Sequence, residues 1–297
     1  MSRLAEVFGR ARSEDRAALV AYLPAGFPSA EGGIAALTAM VEAGVDVVEV
    51  GLPYSDPLMD GPTIQAAVDA SLRAGTRTAD VLRTVEAVAA TGAATLVMSY
   101  WNPVERYGVE RFAADLAAVG GCGVITPDLT PDEAGPWVAA ARRADVDTVF
   151  LVAPSSTDER IAMTARACRG FVYAASTMGV TGARSAVAGT AATLVSRVRA
   201  ATDLPVAVGL GVSTAAQAAE VAGYADGVIV GSAFVRLLLD AADEDAGRRA
   251  VAGLAAELAR GVRERPRGSS LAGVHLGGDH SGDHSGNHSG DEGRRGP

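Results

Sequence analysis

The segment VDVVEVGLPYSDPLMDGP, residues 45–62, joins an apolar run to a loop that is rich in proline and aspartate. Its first part, VDVVEVG, is mostly valine and carries Glu49 near its end. Continuous β-branched runs are typical of parallel strands that are buried on both faces. A carboxylate inside such a strand is costly unless it is paired or used, so the segment predicts a strand and a candidate functional residue together.

Seven similar runs occur along the chain, and segments with helical periodicity separate them. The seven apolar runs are ALVAYLPAG (18–26), ATLVMSY (94–100), CGVITPD (122–128), DTVFLVA (147–153), GFVYAAS (170–176), LPVAVGLG (204–211) and DGVIVGS (226–232). Eight strands that alternate with helices predict an α/β protein, a (β/α)8 TIM barrel, with residues 4–16 as an extra N-terminal helix that closes its bottom. A doubly wound open sheet is the alternative.

The composition changes near residue 265. Residues 266–297 are rich in Gly, Ser and His and contain the repeat DHSG-DHSG-NHSG. Such a segment buries too little apolar surface to offset its chain entropy. We therefore predict a catalytic barrel domain over residues 1–265 and a disordered tail over residues 266–297. Weak divalent-metal binding by the spaced histidines and aspartates is the alternative role for the tail.

Charge and composition exclude several classes of protein. A net charge of −9 without a basic patch argues against a nucleic-acid partner. No apolar run reaches the about 18 residues of a membrane span, and the N-terminus does not resemble a signal peptide, so we expect a cytoplasmic protein. Cys122 and Cys168 form neither a disulfide framework nor a metal-ligand pattern, and no metal site is predicted.

The chain contains no lysine, which restricts the chemistry that it can perform. All 26 basic residues are arginine, and the four histidines lie within the last 23 residues. These facts exclude Schiff-base aldolases, enzymes that bind pyridoxal phosphate covalently, and P-loops that need lysine. Acid–base chemistry in the barrel must therefore depend on carboxylates, tyrosines or water.

Active sites of such barrels lie at the C-terminal ends of the strands, where Glu49 and Asp60 are placed. Burial would raise the pKa of Glu49 and let it both donate and accept a proton near neutral pH. A more hydrated loop position would keep Asp60 ionised, so the two carboxyl groups could divide acid and base roles. The alternative for any single glutamate is a solvated surface group.

Glycines follow the sixth, seventh and eighth predicted strands. These are Gly182, then Gly209 and Gly211, and then Gly231, which precedes Ser232. Backbone N–H groups at glycine turns and helix N-termini bind phosphate without a cation, which suits a chain that lacks lysine. The joint placement predicts a phosphate site, and the alternative is that each glycine only permits a tight turn.

The motifs at the strand ends strongly resemble those of the α subunit of tryptophan synthase. They are YLPAGFPS (22–29), EVGLPYSDPLMDGPTIQ (49–65), TMGVTGAR (177–184) and VGSA (230–233), and the likeness covers residues 5–262. The resemblance implies a lyase of tryptophan biosynthesis that cleaves indole-3-glycerol phosphate to indole and glyceraldehyde 3-phosphate. It also implies an α2β2 hetero-tetramer with a β subunit that carries pyridoxal phosphate, and no cofactor in this chain.

The same resemblance implies roles for individual residues. Glu49 would protonate C3 of the indole and then accept the proton of the glycerol hydroxyl, while Asp60 would bind the indole N–H. Tyr173 corresponds to a pocket tyrosine, and Thr181 to a threonine that holds the aspartate when the loop closes. The corresponding phosphate-binding residues are Gly182, Gly211, Gly231 and Ser232.

A flat apolar slot is also needed for an indole ring. Its candidate lining residues lie at or near strand ends, and they are Tyr22, Met98, Tyr100, Leu210 and Ile229. For each of these residues, ordinary core packing is the alternative. The departures from the family pattern are small: Thr130 stands where many members have proline, and the His-rich tail is not a family feature.

Two alternatives to this function differ in kind. Other phosphate-binding barrels, such as indole-glycerol-phosphate synthase and triosephosphate isomerase, depend on lysine and often on histidine, and the predicted barrel contains neither. A catalytically silent subunit that only binds and activates a β partner is the second alternative. A carboxylate within a buried strand argues for an active enzyme, because a silent scaffold does not need one.

The predicted tail gives a first test. Deletion of all residues after Gly268 should leave folding and activity intact, because the tail contributes no packed core. Thermal unfolding and steady-state assays of the truncated and full-length chains measure this directly. A large loss of stability in the truncated chain would contradict the division at residue 265.

Overall fold

The computed structural model of the chain describes residues 2–176 and 184–264, whose strands form one parallel sheet. The strands are β1 Ala18–Pro24, β2 Val47–Gly51, β3 Ala94–Met98, β4 Gly123–Ile125, β5 Asp147–Val149, β6 Leu151–Val152, β7 Val172–Ala175, β8 Val206–Gly209 and β9 Gly227–Val230. Their order in the sheet is β5-β4-β3-β2-β1-β9-β8-β7-β6. Each strand in this order pairs with its neighbour in parallel, so the sheet curls into a nearly closed barrel.

The fifth predicted run is divided at Phe150, which accounts for nine strands instead of eight. Its first half, β5, pairs with β4, and its second half, β6, pairs with β7. The Phe150 amide points to Sγ of Cys168 at 3.4 Å, whereas the Phe150 carbonyl accepts the amide of Tyr173 at 3.2 Å. One run therefore joins both edges of the sheet. The barrel prediction is confirmed, and the open doubly wound sheet was the wrong alternative.

Helices connect the strands around the outside of the barrel. They are α1 Arg3–Ser13, α2 Ala30–Glu42, α3 Pro62–Arg73, α4 Thr78–Ala89, α5 Trp101–Tyr107, α6 Val109–Ala118, α7 Gly135–Arg143, α8 Asp158–Ala167, α9 Arg184–Arg199, α10 Ala215–Ala222, α11 Ser232–Leu239 and α12 Glu244–Gly261. Side-chain oxygens of Ser29, Thr157, Thr214 and Asp243 accept a backbone N–H in the first turns of α2, α8, α10 and α12. These caps fix where the helices begin.

Apolar residues of the strands divide into two clusters because successive side chains point to opposite faces. On β2, Val48 and Val50 belong to an outer cluster between the sheet and the helices, whereas Val47 belongs to an interior cluster inside the barrel. Glu49 is two residues after Val47, so its side chain points into the barrel as well. The sheet alternation therefore places a carboxyl group inside the barrel, near the C-terminal end of β2.

Helix α1 fills the N-terminal end of the barrel, as predicted. Its buried residues Leu4, Val7, Phe8 and Ala11 all belong to the interior cluster. The ring of Phe8 lies 5.3 Å from that of Phe171, between ring centroids. With this end filled by apolar side chains, a small molecule can approach the interior only from the C-terminal ends of the strands.

The predictions about the tail, about membrane spans and about metal sites can be compared only with the described residues. The predicted tail, residues 266–297, lies outside the described residues. Within residues 2–176 and 184–264, no helix is long and apolar enough to cross a membrane. The same residues contain no group of three or more His, Cys, Asp or Glu side chains that could hold a metal ion.

Candidate active site

Glu49 is the most deeply buried carboxyl group at the C-terminal ends of the strands. It lies in register between Tyr22 of β1 and Leu96 of β3, and only 2 % of its surface is exposed. Its Oε1 has no hydrogen-bond partner among the described residues. Burial raises the pKa of Glu49 from 4.5 to about 8. The predicted burial is thus confirmed, and the pKa shift has the expected direction.

Two tyrosines, the buried Tyr22 and the half-buried Tyr173, lie close enough to Glu49 for its charge to affect their pKa values. Burial raises the pKa of Tyr22 and of Tyr173, and the negative charge of Glu49 adds to the rise in both. Their rings approach the backbone closely: a Cβ built on Gly51 or on Gly209 would lie 2.5 Å from the hydroxyl of Tyr22 or Tyr173, respectively. Both glycines are therefore required by the positions of the tyrosines, and the interior around Glu49 is aromatic.

Asp60 lies in the loop that connects β2 to α3 and is half-buried. Its charge is the largest electrostatic influence on the pKa of Tyr22 after burial, which places Asp60 and Glu49 around the same ring. Burial raises the pKa of Asp60, and a hydrogen bond with Tyr100 acts in the opposite direction. Asp60 is more exposed than Glu49, as expected, but it is less hydrated than a free loop residue.

Tyr100 follows β3 and has a more specific contact than the predicted wall of an indole slot. Its hydroxyl oxygen accepts the backbone N–H of Met59 at 3.0 Å and also takes part in the hydrogen bond with Asp60. Ile229 is buried on β9 in the interior cluster, and Met98 packs against that cluster. Leu210 is instead part of the outer cluster, and its place in the slot stays a prediction.

The predicted phosphate-binding residues after β8 and β9 lie at the same end of the barrel. Gly211 is exposed and has a φ of +72°, a conformation that favours glycine. Gly231 is the N-cap of α11, and Ser232 is its exposed first residue. A Cβ on Gly231 would lie 3.1 Å from the Tyr22 ring, which places this turn beside the aromatic interior. Thr181 and Gly182 lie outside the described residues.

Two residues that the sequence analysis did not select also take part in this region. Tyr54 packs on Tyr100, with ring centroids 5.5 Å apart. The side-chain amide of Asn102 donates to the Tyr54 hydroxyl at 3.0 Å. Residues 54 and 102 are far apart in sequence, so no local pattern indicates their pairing.

The arrangement combines groups with different chemical capacities. Glu49 can hold or release a proton near neutral pH because it is deeply buried. Asp60, which is half-buried, offers a second carboxyl group on a loop. Backbone N–H groups near Gly211 and Gly231 offer donors for an anion. Together they suit acid–base chemistry on a phosphorylated ligand that has an apolar ring.

The raised pKa of Glu49 predicts a pH-dependent cost to stability. Because the folded chain holds this proton more tightly, the free energy of unfolding falls as the pH rises from 4.5 to about 8, by up to about 1.4 kcal/mol per pH unit. Glutamine does not titrate. The unfolding free energy of Glu49→Gln should therefore exceed that of the wild type by an amount that increases as the pH rises from 4.5 to about 8. Urea denaturation at several pH values measures this difference.

A matched control for that measurement is Glu86→Gln, which changes an exposed residue of α4. Its unfolding free energy should follow that of the wild type at every pH. A difference between Glu49→Gln and the wild type that does not change with pH would contradict the raised pKa.

Comparisons with known proteins identify the family of this chain. A family model described as tryptophan synthase alpha chain matches residues 8–262. The tryptophan synthase alpha chain of Acidothermus cellulolyticus is 62% identical over 266 residues, which cover 90% of this chain and 99% of the relative. That of Thermobifida fusca is 60% identical over 270 residues, which cover 90% of this chain and 100% of the relative.

Solved structures give the same result. A chain in a structure of Mycobacterium tuberculosis tryptophan synthase is 58% identical and superposes with a TM-score of 0.82, covering 88% of this chain and 98% of that chain. The family model, the relatives and the structural likeness all extend over almost the whole described barrel. The chain therefore belongs to the tryptophan synthase alpha chain family.

Proposed function

We propose that Glu49 and Asp60 carry out the lyase reaction of this alpha subunit, the cleavage of indole-3-glycerol phosphate to indole and glyceraldehyde 3-phosphate. Membership of the family makes the chain an alpha subunit of tryptophan biosynthesis. The observation that carries the assignment of roles is the buried Glu49 carboxyl group, which has an unpartnered Oε1 among the described residues and a pKa of about 8. Such a group can act as acid and base in turn.

The reaction is a retro-aldol cleavage in which the indole ring is its own electron sink. Protonated Glu49 gives its proton to C3 of the ring, which becomes a positively charged indolenine. The bond between C3 and the first carbon of the glycerol chain then breaks, and its electron pair neutralises the ring. The hydroxyl proton of that carbon returns to Glu49 as the aldehyde forms, so protons and electrons balance.

Asp60 has a separate role in this proposal. Its carboxylate accepts the indole N–H and stabilises the positive charge that the ring carries after protonation. Burial raises the pKa of Asp60, and the hydrogen bond with Tyr100 supports this role because it opposes that rise and favours the ionised form. One carboxyl group thus moves the proton, and the other supplies a fixed charge.

The remaining substrate contacts follow from position. Tyr22, Tyr173 and Ile229 border the interior around Glu49 and would enclose the indole ring. The phosphate would be bound by backbone N–H groups at the turns after β8 and β9, at Gly211 and Gly231, and at the N-terminus of α11, where Ser232 lies. Gly182 would contribute to the same phosphate site. Thr181 would hold Asp60 in the bound state.

We also propose an α2β2 hetero-tetramer with a tryptophan synthase beta chain, located in the cytoplasm. The M. tuberculosis structures that this chain resembles are of tryptophan synthase. Pyridoxal phosphate is held covalently by lysine in proteins, and this chain has none, so the cofactor belongs to the partner. The cleavage proposed for the alpha subunit needs no cofactor, because the indole ring itself accepts the electron pair.

A silent subunit that only activates its partner is the competing function. A scaffold of that kind would gain stability by replacing Glu49 with an apolar residue, since ionisation in the interior is costly. The position of Glu49 beside Tyr22, with its charge acting on Tyr173, near the open end of the barrel therefore favours an active lyase.

Substitution of the two carboxyl groups tests the proposed roles. Glu49→Gln should lower kcat for indole release by about 10²–10⁴-fold while substrate still binds, because the proton donor is lost and the shape is kept. Asp60→Asn should lower kcat by about 10²-fold through the lost charge. Spectroscopic assay of indole formation by the full-length chain measures both, with Glu86→Gln as the surface control. Unchanged turnover in Glu49→Gln would contradict the mechanism.

The proposed assembly has its own test. Mixing the full-length chain with a tryptophan synthase beta chain should give a particle that contains two copies of each, as measured by light scattering after gel filtration. Indole formation should be assayed on the same fractions. A stable particle with one copy of each chain would contradict the α2β2 assembly and leave the roles of Glu49 and Asp60 unaffected.

A further inference from the structure

The loop that carries Asp60 has little apolar anchoring of its own. Residues 52–61 connect β2 to α3, and at the tip the side chains of Leu58 and Met59 are 80% and 55% exposed. The position of the tip is therefore set by a small number of polar contacts. On one side, the Gln65 side-chain amide donates to the carbonyl oxygen of Asp60 at 2.7 Å.

The contacts on the other side come from residues at the start of α5. Tyr100, the N-cap of this helix, is only 2% exposed, and its hydroxyl accepts the N–H of Met59 at 3.0 Å. The N–H of Trp101 in turn donates to the Asp128 carboxylate at 2.9 and 3.1 Å, which fixes the first turn of α5 against the loop after β4. Tyr100 is thus a rigid point against which the 58–60 segment is held.

Tyr54 forms a second connection between the same loop and the same helix. Its ring packs on that of Tyr100 with the centroids 5.5 Å apart and the planes inclined by 37°. Its hydroxyl accepts the side-chain amide of Asn102 at 3.0 Å. Tyr54 precedes Asp60 by six residues, so the loop is tied to α5 both before and at its tip.

We propose that Tyr54 and Asn102 are positioning residues, which hold the Tyr100 ring so that its hydroxyl keeps Asp60 aimed into the barrel. The proposal rests on the function proposed above for Asp60. Neither residue needs to touch the substrate. The Asn102 amide fixes the Tyr54 ring, the Tyr54 ring restricts the Tyr100 ring, and the Tyr100 hydroxyl fixes the backbone of Met59 and the carboxyl group of Asp60.

The expected effect is on turnover more than on binding. A fixed charge stabilises a transition state only when it is held at the right place in advance, and small displacements weaken it. Loss of one hydrogen bond of ordinary strength corresponds to about a five-fold change in rate. Tyr54→Phe keeps the ring contact and removes only the bond to Asn102, so it should lower kcat by about five-fold and change KM little.

A double-mutant cycle separates positioning from a general structural role. The full-length chain is assayed for indole release from indole-3-glycerol phosphate as wild type, Tyr54→Phe, Asn102→Ala and the double variant. Because one hydrogen bond joins the two side chains, the double variant should lose no more activity than either single variant. Tyr107→Phe is the matched control, since it removes a hydroxyl bond to Asp115 on the outer helices and should leave kcat unchanged.

The same substitutions in an Asp60→Asn background give the decisive measurement. If Tyr54 acts through Asp60, Tyr54→Phe should have no further effect on kcat once the carboxylate is absent. A five-fold loss that persists in the Asp60→Asn chain, or a wild-type kcat for Tyr54→Phe alone, would overturn the positioning role and leave the function of Asp60 standing. Wild-type turnover in Asp60→Asn itself would instead overturn the proposed function of Asp60, on which this inference depends.

Discussion

Closure of the parallel sheet is the constraint on which the rest of the molecule depends. The run that is divided at Phe150 pairs with β4 through one half and with β7 through the other, so both edges of the sheet are used. Helices cover the outside, and α1 fills the N-terminal end. Polar side chains then meet mainly near the two ends of the strands, because the sheet between them is packed largely with apolar groups on both faces.

Glu49 shows what this constraint costs and what it makes possible. Side-chain alternation on β2 turns the carboxyl group into the interior, where it loses its hydration. For this reason we expect the folded chain to lose stability as the pH rises from 4.5 to about 8, since ionisation must occur away from water. The same loss of hydration brings the pKa of Glu49 close to neutrality, which is what a group that alternates between acid and base requires.

Asp60 is held by a different kind of structure. It lies on a loop with exposed apolar residues at its tip, and hydrogen bonds from Tyr100 and Gln65 fix the segment. A strand places Glu49 rigidly through its backbone ladder, whereas side-chain contacts place Asp60. Substitutions at a distance should therefore displace Asp60 more readily than Glu49. For this reason Tyr54 and Asn102, which do not touch the substrate, affect turnover in the proposed mechanism.

The amino-acid sequence by itself determined the eight strand runs, the extra N-terminal helix and the candidacy of Glu49, because these depend on local periodicity and on one carboxylate in an apolar run. The tertiary structure alone decided that one run changes partners at Phe150, that Leu210 belongs to the outer cluster, and that burial raises the pKa of Asp60. It also decided the contact of Tyr54 with Asn102. Barrel closure, solvent access and contacts between distant residues are properties of the folded chain, and no local pattern encodes them.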